Sequence, residues 1–157
     1  MDFAPVFLNQ KMSREQKNGT IRSTTDAFEL ATSVLYFSPI QHFGLTPNNL
    51  EEQPDHVLDF IKEVPTVWDE TIYIGGEPED YCALARRKGD RWYVAVSNAT
   101  KEQRKIGLEL PMLAGKEVKH LYDNKDKTAG YKTSKIRSNG TLEIELLPEG
   151  GAVLYEL

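Results

Sequence analysis

The chain has 157 residues, a formal net charge of −5, and 39% hydrophobic against 27% charged residues. That mixture belongs to a globular domain rather than a disordered or collagen-like chain, and its acidic balance argues against a dedicated nucleic-acid binder. Cys82 is the only cysteine, which excludes an internal disulfide and a cysteine-based zinc site.

No apolar run is long enough to span a membrane. Met1-Asp2-Phe3-Ala4-Pro5 has neither the basic start nor the apolar stretch of a signal peptide. The residues up to about 20 read as loop, polar from Lys11 to Asn18 and turning at Asn18-Gly19-Thr20. Ser23-Thr24-Thr25-Asp26 then offers helix-capping side chains. Phe28, Ala31, Val34 and Leu35 follow at helical spacing, and Leu30 and Phe37 widen the stripe. A helix apolar on more than one side expects burial from several directions. Pro39 ends it, because a residue preceding proline avoids the helical region.

Ile40-Gln41-His42-Phe43 reads as a short buried strand, and Gly44 to Gln53 as a loop turning at Pro47-Asn48-Asn49. A second helix is expected over Pro54–Glu63, with Pro54 in its first turn, an apolar face of Val57, Leu58, Ile61 and Val64, and Pro65 as its stop.

After Pro65 the period of the pattern becomes two. Trp68, Ile72 and Ile74 fall on one face of a strand, and Gly75-Gly76 reads as the turn that follows it. Asp80–Arg87 is a second strand, joined through Lys88-Gly89-Asp90 to an alternation of Trp92, Val94 and Val96 with Tyr93, Ala95 and Ser97. Further short strands are expected around Ile106–Leu110, Val118–Tyr122, Tyr131–Arg137, Leu142–Leu146 and Ala152–Leu157. About eight short strands separated by turn residues predict a mainly β fold, an antiparallel β-sandwich or barrel, with the β-sandwich preferred. The chain therefore divides into residues 1–64 and 65–157. The first part holds two helices and a short strand, too little to enclose its own apolar helix, and has the order of one unit at the end of a (β/α)8 barrel.

Several phrases along the chain carry a resemblance. Met1-Asp2-Phe3-Ala4-Pro5, Ala31-Thr32-Ser33-Val34-Leu35-Tyr36-Phe37-Ser38-Pro39-Ile40-Gln41, Phe60-Ile61-Lys62-Glu63-Val64-Pro65-Thr66-Val67-Trp68-Asp69-Glu70-Thr71 and Ala85-Arg86-Arg87-Lys88-Gly89-Asp90-Arg91-Trp92-Tyr93 occur in that order. Together they resemble the C-terminal portion of glycoside hydrolase family 97, bacterial α-glucosidases and α-galactosidases. The resemblance implies that residues 1–64 are a C-terminal fragment of the barrel and residues 65–157 the C-terminal β-sandwich domain. It also implies that the catalytic carboxylates and the calcium ligands of the family lie upstream. No catalytic residue, metal ligand or cofactor is then expected in this chain, and the rest of the parent glycosidase is its expected partner. A periplasmic or cell-surface location follows from the same resemblance.

The remaining candidates are few. Glycoside hydrolysis needs two carboxyl groups facing one bond, about 5–5.5 Å apart for retention and about 6.5–9.5 Å for inversion. Asp69-Glu70 are strand neighbours that point to opposite faces, so they are expected to pair with basic residues instead. His42, His56 and His120 show no metal-binding spacing. If Ile40–Phe43 is a barrel strand, its C-terminal end opens on the active-site face. Gln41, His42 and Thr46, with Asp2 from the preceding strand, are the substrate-face candidates in a complete enzyme. Trp68 and Trp92 read as core. Tyr93, on the opposite face from Trp92, is the candidate platform for an α-linked oligosaccharide in the alternative that the sandwich binds glycans. A homodimer through exposed apolar helices is the remaining alternative.

Overall fold

The computed structural model describes residues 2–5, 22–77 and 79–156. Of the expected loop only residues 2–5 are described, and the Asn18-Gly19-Thr20 turn lies outside the described residues. Helices α1 (Asp26–Leu35), α2 (Pro47–Glu52) and α3 (Asp55–Glu63) come first. Strands β1 (Glu70–Glu77), β2 (Tyr81–Lys88), β3 (Arg91–Asn98), β4 (Arg104–Glu109), β5 (Glu117–Asp123), β6 (Ala129–Lys135), β7 (Thr141–Leu146) and β8 (Gly151–Glu156) follow. The fold is mainly β, as the alternation predicts. One sheet has the order β1-β2-β3-β8-β5-β6 and the other pairs β4 with β7, all antiparallel.

The central strands of the larger sheet are covered on both faces. Between the sheets, Val94, Val96 and Leu154 pack with Ile106, Leu108, Ile144 and Leu146. On the opposite face, Tyr93, Ala95, Val153 and Tyr155 meet Leu30, Ala31, Val34, Val57 and Phe60 from α1 and α3. The period-two pattern of β3 thus separates two cores rather than a core from solvent, and Trp92 through Asn98 are all buried. Each buried Leu, Val or Phe side chain contributes roughly 1.5–3 kcal/mol, so the helices are part of the same cooperative structure as the sheet.

Helix α1 begins where its capping residues predict: the Thr25 hydroxyl accepts from the Phe28 amide at 3.0 Å. It approaches β8 so closely that a Cβ on Gly151 would lie 2.5 Å from the Phe28 Cα. Helix α3 takes Pro54 as its N-cap rather than in its first turn, and ends at Val64 before Pro65.

The structure differs from the sequence reading at four places. Pro47-Asn48-Asn49 opens helix α2 instead of turning a loop: Pro47 occupies the first helical position, and the Asn49 Oδ1 accepts from the Thr46 amide at 3.0 Å. Residues 40–43 form one parallel bridge, Phe3 with Gln41, rather than a full strand. Gly75 and Gly76 lie inside β1, where a bulge follows Tyr73, and the turn comes later at Glu79 and Asp80. Trp68 precedes β1 and packs in the helix-side core, whereas Ile72 and Ile74 pack in the inter-sheet core.

Candidate functional site

The segments 2–5 and 40–44 run side by side in parallel. The Phe3 amide donates to Ile40 O at 3.1 Å, the His42 amide to Phe3 O at 2.9 Å and the Gly44 amide to Pro5 O at 3.3 Å. Side chains alternate along such a segment. Gln41 turns toward the helices, its Nε2 donating to Ser33 O at 2.8 Å, and Phe43 packs on the helix-side core. Ile40 and His42 point the other way and are exposed. Of the substrate-face candidates, Asp2 and His42 are therefore solvent-facing, Gln41 is engaged with α1, and Thr46 caps α2.

Tyr93 is not an exposed platform. It is 1% exposed, held edge-on by Trp68 at 5.3 Å and stacked parallel to Tyr155 at 5.8 Å. Alternation places it opposite Trp92 correctly, but that face is roofed by the helices. Among the described residues the exposed aromatics are Tyr36, Phe37, Tyr73 and Tyr131. Tyr36 and Phe37 follow the end of α1, and with Ile40 they form an uncovered apolar edge beside His42.

Arg86 organises that edge through its contacts with Leu35 and Phe37. Arg87 pairs with Glu70 at 3.1 Å and Lys88 with Asp69 at 3.2 Å, so the adjacent carboxylates are engaged with cations as expected and do not converge. Arg86 instead is 5% exposed on the helix side. Its Nη2 donates to Leu35 O at 3.1 Å, and its guanidinium lies against the rings of Phe37 and Trp68 at 5.8 and 5.9 Å. A cation on the last carbonyl of a helix complements the helix dipole. Its Nε and Nη1 have no partner among the described residues, and burial pulls its pKa below the usual guanidinium range. The one signal for this in the sequence is position: Arg86 alternates with Ala85 and so falls on the helix face of β2.

Among the described residues, no three His, Cys, Asp or Glu side chains come together to hold a metal ion.

Three kinds of comparison bear on this arrangement. The family model "Glycosyl-hydrolase 97 C-terminal, oligomerisation" matches residues 67–155. A retaining α-galactosidase of Bacteroides thetaiotaomicron is 34% identical over 134 residues, covering 80% of this chain and 20% of its own. A probable retaining α-galactosidase of Streptomyces bingchenggensis is 30% identical over 154 residues, covering 96% and 22%. A crystal structure of a β-arabinopyranosidase superposes with a TM-score of 0.88 at 45% identity, covering 95% of this chain and 24% of that one. A glycoside hydrolase family 97 enzyme from Pseudoalteromonas sp. strain K8, in complex with acarbose, gives 0.79 at 26% identity over 96% and 25%. The chain spans about a fifth to a quarter of the length of these relatives.

Proposed function

Because the chain belongs to glycoside hydrolase family 97, we propose that it is the non-catalytic C-terminal region of a retaining exo-α-glycosidase, and that its helix layer completes and braces the parent's barrel. The observation that carries this reading is the uncovered edge. Tyr36 and Phe37 are 57% and 66% exposed and Ile40 is 50% exposed, next to a single parallel bridge of the kind that a barrel continues on both sides. The sandwich anchors that edge through α1 and Arg86, so its role is to hold the last barrel elements in place.

The relatives' names support a galacto-configured substrate. Two are α-galactosidases and one is a β-arabinopyranosidase. In the L series a β-arabinopyranoside presents the ring hydroxyls of an α-galactoside and lacks only the exocyclic CH2OH. His42, exposed on the barrel-facing side, is the residue of this chain best placed to touch such a substrate.

The native gene product, captured from source cells with antibody to this chain, should run several-fold heavier than 17.8 kDa and release sugar from aryl α-galactosides or β-L-arabinopyranosides. The 157-residue chain alone should release none. Hydrolysis by the isolated chain, or a native product of its mass, overturns the reading.

A second reading rests on the family's own description, which includes oligomerisation: the region also joins subunits of the parent. Light scattering on the native product should then give a multiple of its chain mass, and a monomer at every concentration would remove this reading.

A further inference from the structure

The six-stranded sheet is wider than the two-stranded sheet above it. Strand β4 contacts β1, so the overhang lies at the other edge, above β5 and β6. There a cleft of about 340 Å³ opens between β5–β6 and the free side of β7. Pockets that hold small molecules start at about 300 Å³, so the space suits a ligand of one or two rings.

The walls are polar and mixed in sign. His120 and Tyr122 come from β5, Lys132 from β6, Glu145 from β7, and Gln103 and Lys125 from the adjoining loops. Lys125 and Lys132 form no ion pair among the described residues. The Gln103 amide donates to Glu145. Tyr122 is fixed because its ring lies over Gly130, its cross-strand partner, where a Cβ would come within 2.6 Å of it. Lys132 Nζ lies 4.7 Å from the centre of that ring.

One group here is left unsatisfied. His120 is 3% exposed. Its Nδ1 lies 2.8 Å from Ser134 Oγ, while Nε2 has no partner among the described residues. A buried polar atom without a partner costs about 1–3 kcal/mol and points to a missing water or ligand. Burial and the charge of Lys132 pull the imidazole pKa down to about 3, so the ring is neutral under ordinary conditions.

We propose that the cleft at the β5–β6 edge is a binding site for a neutral hydroxylated ring, a hexose or pentose, recognised by hydrogen bonds. The lysines and the Gln103 amide supply donors, Glu145 supplies acceptors, and His120 Nε2 becomes satisfied directly or through one water. The two lysines share the cleft with two acidic side chains, Glu145 and Asp123, so an uncharged ligand matches the site better than an anion. Tyr122 contributes an edge rather than a stacking face, since Gly130 and Lys132 occupy its sides. The site stands apart from the barrel-facing edge, and the parent's hydrolytic activity neither requires nor excludes it.

Titration of the 15N-labelled chain with galactose, L-arabinose and glucose, each to about 100 mM, tests this, with sodium phosphate in parallel. At least one sugar should give saturable shifts at the amides of Tyr122, Gly130 and Lys132, with a millimolar dissociation constant of the strength expected of a few hydrogen bonds. K132M and Q103A alter surface-accessible side chains and should each weaken binding about five- to tenfold. Y73S, on the far edge strand, should leave it unchanged. Absence of saturable shifts with all three sugars, binding by phosphate alone, or unaltered affinity in both K132M and Q103A overturns the proposal.

Discussion

The Thr25 hydroxyl donates to a carboxylate oxygen of Asp123 at 2.6 Å while accepting from the Phe28 amide at 3.0 Å. One side chain thus caps α1 and fastens it to the end of β5. Asp123 in turn accepts from the amides of Leu147 and Gly151, each at 3.0 Å. Replacing its carboxylate by alanine leaves two backbone donors and the cap without their acceptor. D123A should lose about 2–4 kcal/mol in a urea titration, and T25A about 1–2 kcal/mol. The double mutant should fall short of the sum by at least about 0.5 kcal/mol; strict additivity would mean that the two residues do not act together.

Gly151 is where α1 rests on the sheet. A methyl there meets the backbone of Phe28 and Ala27 at 2.5–2.9 Å, and backbone does not rotate aside. G151A should cost about 1–3 kcal/mol. Its amide shifts should spread along α1 rather than across β4 and β7. An equally stable G151A would show that the helix layer slides freely.

The Arg86 prediction separates charge from shape. R86A removes the bond to Leu35 O and the packing against Phe37 and Trp68, and should destabilise by about 1–3 kcal/mol. R86K keeps the charge but lacks the flat guanidinium, so it should recover less than half of that loss. Full recovery by lysine would reduce the role of Arg86 to its charge at the helix end.

His120 makes stability depend on acid. Its native pKa, about 3, lies below the usual 6.5, so the unfolded chain takes the proton first. Stability should fall as pH drops from 6.5 toward 3, by up to about 1.4 kcal/mol per pH unit. Burial raises the pKa of Asp26 and of Asp123, and these act in the opposite direction on acidification. The contribution of His120 is therefore read as the difference in slope between the wild type and H120L. Parallel profiles would mean that the imidazole is protonated in the native state.

The strands were legible because a pleated chain with one apolar side writes its period into the sequence. Ile106, Leu108, Ile144 and Leu146 show this most plainly, with their outward neighbours polar and exposed. What alternation does not encode is whether the second face is also covered. Tyr93, the candidate platform, is buried for that reason: it lies on the face roofed by helices. Pro47 and Asn49 failed differently, since proline followed by asparagine serves a turn and a helix start equally well. At Gly75-Gly76 the bulge keeps the glycines inside β1, and Glu79, at a φ of 69°, takes the left-handed position that a glycine usually fills.

Strand β8 lies between β3 and β5, although it follows both in the chain by many residues. The meander of β1, β2 and β3 and the hairpin of β5 and β6 therefore have no hydrogen-bonded link to each other until β8 has been synthesised. Without β8 the inner edges of β3 and β5 are unpaired, and such edges are prone to mispairing. A single strand then closes the sheet, the inter-sheet core and the seat of α1 in one event. A chain stopped before Gly151 should be aggregation-prone rather than partly folded.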